Sequence, residues 1–395
     1  MSSIADLTEY PRTVAEYLEN LQNNQTNGNG FFNANQRRFT FIERISEGGA
    51  GETFLFSEND ETGGQIRRVV VKVALFEDNE PSIRNELHWL KMMRNSRHIV
   101  DGIEVDQSGL DSPILVTEYL AHGALYDMQR RVIWTGRKVP NRFLWRIFLC
   151  LTKAAMGMAY STPWNRDYLG DEFPNVPRQQ QEPRTLIHGD LHTGNILIGM
   201  ESLEWRFSPY HVHAQEYVAK GSDLFPNEAE HNMSPIFKMI DFGDAETLDA
   251  RASNDPDERR LGEKIGIARN IYDIGLVMML LATGTLDEDE SSGSETLNLL
   301  DFPLIATSAN SALADAAMDN DLKCLISWCI AKKPAQRPSL ESLHNLCQTA
   351  LEGRTAAFYE NDLTLGPYET DEQLRSFVQD MILDPPMDDD EMDIA

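Results

Sequence analysis

An imidazole, two candidate acid–base groups and a carboxamide share one run, His188-Gly189-Asp190-Leu191-His192-Thr193-Gly194-Asn195-Ile196-Leu197, and a further carboxylate follows in Asp241-Phe242-Gly243. These residue types suit phosphoryl transfer, which needs little covalent help from a protein. It needs a carboxylate near the attacking hydroxyl and oxygen ligands that hold a divalent metal against a triphosphate. Asp190 is the expected base; Asn195 and Asp241 are the expected metal ligands. An H-x-D alone recurs by chance, whereas H-x-D-x-x-x-x-N with a downstream D-F-G is far more specific.

That pattern resembles the catalytic and metal-binding segments of the protein-kinase superfamily, and the resemblance runs in order along residues 39–353. In Ile45-Ser46-Glu47-Gly48-Gly49-Ala50-Gly51 the glycines let backbone N–H groups approach a triphosphate without Cβ obstruction. Against the family's G-x-G-x-x-G, Gly48 and Gly51 match and Ser46 takes the first glycine position. Lys72, inside Val69-Val70-Val71-Lys72-Val73-Ala74, falls where the family keeps the lysine that holds the α/β-phosphates. An ammonium among valines needs a partner, and Glu86 in the helix-patterned segment from Ser82 to Arg94 is the expected one. Leu115 to Leu125 resembles the strand and hinge between kinase lobes, with backbone groups from Glu118 to Leu120 facing adenine. Asp273 matches the Asp that the family buries in a central helix to brace the catalytic loop. Arg337 matches the late arginine that pairs with the Glu of A-P-E; that tripeptide is absent here and Glu263 is the nearest substitute.

The resemblance implies an α+β, two-lobe fold: a small β-rich lobe with one key helix and a larger helical lobe. It implies an ATP- and Mg²⁺-dependent protein kinase, acting on Ser/Thr more readily than Tyr. The implied roles are Asp190, Lys72 and Glu86 in catalysis, and Ser46, Gly48, Gly49, Gly51, Lys72, Glu118, Leu120, Asn195 and Asp241 in nucleotide binding. Gly189 stands where regulated protein kinases have an Arg that pairs with a phosphorylated loop, so no such switch is expected. His192 stands where Ser/Thr kinases carry a Lys. The phrases His-Gly-Asp-Leu-His-Thr-Gly-Asn and Ile-Asp-Phe-Gly-Asp-Ala look like aminoglycoside and choline phosphotransferases. A small-molecule hydroxyl acceptor therefore stays open beside a protein substrate, basic proteins included. A third alternative, a pseudokinase scaffold, has no need of the five residues Lys72, Glu86, Asp190, Asn195 and Asp241.

The elements that must position these groups are legible as hydrophobic periodicity. Five strand-like runs (FTFIERI, ETFLFS, RRVVVKVAL, HIVDGIEV and PILVTEYL) surround the helix at Ser82–Arg94. Helical spacing follows at 141–161, 268–282, 311–330 and 339–352. The expected layout is a flexible arm at 1–37, a lobe at 38–120, a second at 121–353 with insertions at 162–184 and 200–234, and an acidic, disordered tail at 354–395. A formal charge of −28 over 395 residues disfavours nucleic acid and anionic membrane as partners. Cys150, Cys324, Cys329 and Cys347 lie in apolar stretches without metal-ligand spacing, as reduced core thiols would. The N-terminus lacks signal-peptide layout and no uninterrupted apolar stretch approaches a membrane span. An intracellular, cytoplasmic or nuclear protein is expected.

Overall fold

The computed structural model describes residues 39–48, 51–60, 63–74, 76–94, 96–105, 107, 112–160, 183–199, 233–286, 296–297, 305–309 and 311–385. The arm at 1–37, Gly49 and nearly all of the two insertions lie outside these residues.

The chain is mixed α+β. A four-stranded antiparallel sheet in the order β1-β2-β3-β4 is built from β1 (Phe39–Gly48), β2 (Gly51–Asn59), β3 (Gln65–Val73) and β4 (Ile114–Glu118). Period-two alternation places Phe54, Phe56, Val69, Val71, Val73, Ile114 and Val116 together in one apolar cluster, as the pleat requires. Helix α1 (Glu80–Met92) opens with a proline in its first turn and buries Ile83, Glu86 and Leu90, one stripe at helical spacing.

The fifth expected strand, His98 to Val105, does not join the sheet ladder. Its backbone bridges the sheet to a later strand instead: Val100 N–H bonds Met239 O at 3.0 Å, and Glu118 N–H bonds Asp101 O at 3.1 Å. Isolated bridges Ile99–Met239 and Gly102–Thr117 are all that remains of the ladder there.

A larger apolar cluster is helical. It contains α2 (Leu125–Thr135), α3 (Asn141–Tyr160), and the hairpin of β6 (Ile196–Gly199) with β7 (Ile236–Met239); β5 (Leu186–Ile187) pairs with β8 (Glu246–Thr247). Then come α4 (Pro256–Leu261), α5 (Ile265–Thr283), a two-stranded pair of β9 (Thr296–Leu297) with β10 (Ile305–Ala306), α6 (Ser311–Asp315), α7 (Asn320–Cys329) and α8 (Leu340–Gly353). Helix α3 is buried on nearly every face, so it is the axis of the core. The stretch Pro256–Thr283 has the length and hydropathy to cross a membrane, yet 72% of its apolar window is buried within the protein. The single helix expected over 311–330 is two, because Asp319 caps a new start by accepting Asp321 N–H at 2.9 Å.

The largest departure lies after Gly353. The expected disordered tail instead forms α9 (Ala356–Tyr359) and α10 (Asp371–Val378), followed by one π-turn at Gln379–Leu383. Tyr359, Leu374, Phe377, Met381 and Ile382 are buried. Glu369, fully buried, caps α3: its carboxylate accepts Asn141 N–H at 2.6 Å, Asn141 Nδ2 at 2.8 Å and Arg142 N–H at 3.1 Å. A high acidic count concealed these contacts, since one buried Glu and a short apolar stripe carry the docking. Residues 386–395 lie outside the described set.

Candidate functional site

Lys72 points from β3 to two carboxylates. Its Nζ donates to Glu86 Oε2 at 2.9 Å and to Asp241 Oδ1 at 2.8 Å, so groups 169 residues apart meet on one ammonium. Burial pulls the Lys72 pKa down, but Glu86 and Asp241 together outweigh it and hold the group above its ordinary value. Asp241 is the one non-glycine among the described residues with positive φ, at 61°. Such a conformation persists only where the surroundings over-determine it.

Asp190 and Asn195 form the other half. Asn195 Nδ2 donates to Asp190 O at 2.8 Å and to Asp190 Oδ2 at 3.1 Å. The two halves are joined through Ile240, whose N–H bonds Asn195 O at 3.0 Å and whose carbonyl meets the His188 ring at 2.9 Å. Phe242, fully buried, packs on His188 with ring centroids 4.7 Å apart. Burial lowers the His188 pKa, which keeps this ring neutral and structural. His192 accepts Gly194 N–H on Nδ1 at 3.1 Å, and its Nε2 stands 3.6 Å from Asp190 Oδ2.

The donor set suits a hard divalent cation. Asn195 uses its amide nitrogen on Asp190, and Asp241 uses one oxygen on Lys72, which leaves an amide oxygen and a carboxylate oxygen for a metal. Among the described residues no group of three His, Cys, Asp or Glu side chains could hold a metal unaided. A cation here would need oxygens from a ligand.

Ser46 pairs with Thr53 and Gly48 with Gly51 at the head of the β1–β2 hairpin, on the sheet that carries Lys72. Gly51 has a steric reason of its own: a Cβ there would stand 2.1 Å from Val73 O. Glu118 lies at the end of β4. Its carboxylate oxygen Oε1 accepts both Lys238 Nζ at 2.6 Å and Asp101 N–H at 2.9 Å, so the side chain is held inside the protein. Leu120 is buried next to it.

One expectation is extended and one corrected. Asn270, nearly one helical turn before Asp273, braces the loop from the same helix, accepting His188 N–H at 3.1 Å and donating to Leu186 O at 2.9 Å. Asp273 itself is half-buried and faces Arg269 at 4.0 Å. Arg337 has no ion pair with Glu263 among the described residues. Its guanidinium bonds Ala331 O at 3.0 Å and Ala268 O at 2.8 Å and lies 4.4 Å from the Tyr272 ring centroid. Sequence reasoning also missed Asn85, beside the expected Glu86, which reaches the backbone after Asp241.

No protein-family model matches this chain, and no curated protein matches it.

Proposed function

We propose that the chain is an ATP- and Mg²⁺-dependent phosphotransferase with a two-lobe kinase-like fold, moving the γ-phosphate of ATP to a protein Ser or Thr hydroxyl. The observation that carries this reading is Lys72 held between Glu86 and Asp241 beside the Asp190–Asn195 pair. Five residues drawn from separate parts of the chain meet in two hydrogen-bonded groups joined through the Ile240 backbone, an arrangement that a scaffold has no need of.

In this reading the glycines of the β1–β2 hairpin cover the phosphates and Lys72, fixed by Glu86, neutralises their charge. Glu118 to Leu120 line the adenine. Asn195 and Asp241 hold Mg²⁺, which, when bound, shields the charge developing on the transferred group. Asp190, its carboxylate oriented by Asn195 Nδ2, accepts the proton of the incoming hydroxyl. Rate then comes from positioning and charge stabilisation.

Activity in this reading does not depend on a phosphorylated loop. Ser253 Oγ donates to Glu258 Oε2 at 2.5 Å and accepts Asp255 N–H at 3.0 Å, so a phosphate there would face acids. A Cβ on Gly189, at φ 88°, would stand 2.3 Å from Asp244 O, so the phosphate-binding Arg of regulated kinases has no room. This glycine also supports a second reading, in which the acceptor is a small-molecule hydroxyl. Transfer of labelled γ-phosphate from Mg·ATP to the chain itself, to basic proteins and to aminoglycoside or choline acceptors, against Asp190→Asn, tests both. Transfer to none of them, or transfer undiminished in Asp190→Asn, overturns the assignment.

A further inference from the structure

Helix α1 grips the backbone after Asp241 with side chains outside the charge network. Asn85 Nδ2 donates to Ala245 O at 2.7 Å and to Gly243 O at 2.9 Å, with Phe242 O at 3.4 Å. One turn on, Trp89 Nε1 donates to the same Ala245 O at 3.1 Å. A carboxamide nitrogen has two hydrogens, and every group it faces here is an acceptor, so only one orientation of the Asn85 amide fits. Ser82, on the same helical face, closes the contact: a Cβ on Gly243 would stand 2.2 Å from its Oγ. On the opposite side Gly189 lies against Asp244 O. The stretch 242–245 is thus clamped between α1 and the Asp190 loop, outside any regular ladder whose partners could satisfy its carbonyls.

We propose that Asn85 and Trp89 are positioning residues: a latch that keeps Asp241 in its left-handed, Lys72-bonded geometry, taking the place of a phosphate on the following segment. The inference rests on the reading of Asp241 as a Mg²⁺ ligand. Glu86 fixes Lys72 from α1, and Asn85 and Trp89 fix the backbone of 242–245, directly after Asp241, from the same helix. The position of α1 and the metal-ligating geometry are therefore one variable. A phosphorylated loop would supply this order from outside; here two successive turns of one helix supply it from within.

Asn85→Leu removes the donor at similar volume, and Trp89→Phe removes the indole N–H while keeping an aromatic ring in place. The full chain and both variants are compared by amide hydrogen exchange of 242–250 and by the Mg²⁺ concentration that half-saturates ATP binding. Either variant should exchange faster across 242–250 with 143–158 unchanged, and should need about tenfold more Mg²⁺, the effect of one lost hydrogen bond. A lower melting temperature with unchanged Mg²⁺ requirement would reduce the pair to a structural role and overturn the latch alone. Failure of the unaltered chain to bind Mg·ATP would overturn the site reading and the latch with it.

Discussion

The Asn270 carboxamide holds the backbone on both sides of Ile187, accepting the His188 N–H at 3.1 Å while donating to Leu186 O at 2.9 Å. Both backbone groups are buried, and no water can replace a lost partner there. Asn270→Leu should therefore destabilise the fold by about 2–4 kcal/mol, from two unsatisfied groups at about 1–2 kcal/mol each. Urea unfolding of Asn270→Leu checks this; a loss below about 1 kcal/mol would show that other groups carry the bracing.

Lys72→Met should lower kcat/KM for phosphoryl transfer at least about a hundredfold, the usual loss when one preorganised charge is removed from such a site. The Lys72 pKa is raised, so its charge and the stability linked to it are fully present below the ordinary lysine value and are lost only as pH rises through the raised one. Any limb of the pH–rate profile between about pH 6 and 9 must come from other groups. A limb in that range that disappears in Lys72→Arg would contradict the assignment.

Burial, with Glu118 adding repulsion, pushes the Asp101 carboxyl up to about 6. An acid raised on folding contributes stability that is full below its unfolded value and is lost as pH rises through the folded one. Asp101→Asn should thus match the parent near pH 4 and exceed it near pH 7 by up to about 3 kcal/mol, since each tenfold change in proton affinity is worth about 1.4 kcal/mol. Thermal melts at the two pH values measure the difference, and a variant less stable than its parent at pH 7 would reverse the argument.

Much of this was written in local pattern. The Lys72–Glu86 pairing was legible because motif and helix face both turn Glu86 inward, and Asp190, Asn195 and Asp241 stand out because their motifs fix residue type at set spacing. The helices at 141–160 and 265–283 were legible because apolar residues crowd every turn. What stayed hidden depends on distance in space. Asn270 shares a helix with Asp273, and only the approach of β5 reveals that its amide meets the loop. The run at His98–Val105 alternates like a strand, yet its hydrogen bonds are divided between β7 and the end of β4, at Val116 and Glu118. After Gly353 the acids dominate composition, while docking rests on few residues whose partners are far away in the chain.

Phe377 lies 5.1 Å from Phe143, which lies 5.6 Å from Phe237 on the strand leading to Asp241. Phe377→Ala should cost about 3–5 kcal/mol, and Glu369→Ala a comparable amount by uncapping α3. Ending the chain at Gly353 should yield insoluble protein. A soluble, cooperatively melting fragment 1–353 would mean that the C-terminal helices are an accessory.

The cap that Glu369 places on Asn141 spans 228 positions, so the axis helix of the core is completed by a segment synthesised long after it. At roughly 5–20 residues per second, the ribosome takes on the order of 10–50 s to travel from one partner to the other. For that interval Phe143 and its neighbours have emerged without the aromatic and anionic surfaces that cover them. Nascent chains of this protein should therefore be held open until Glu369 has emerged, and dependent until then on chaperones that recognise exposed apolar helix.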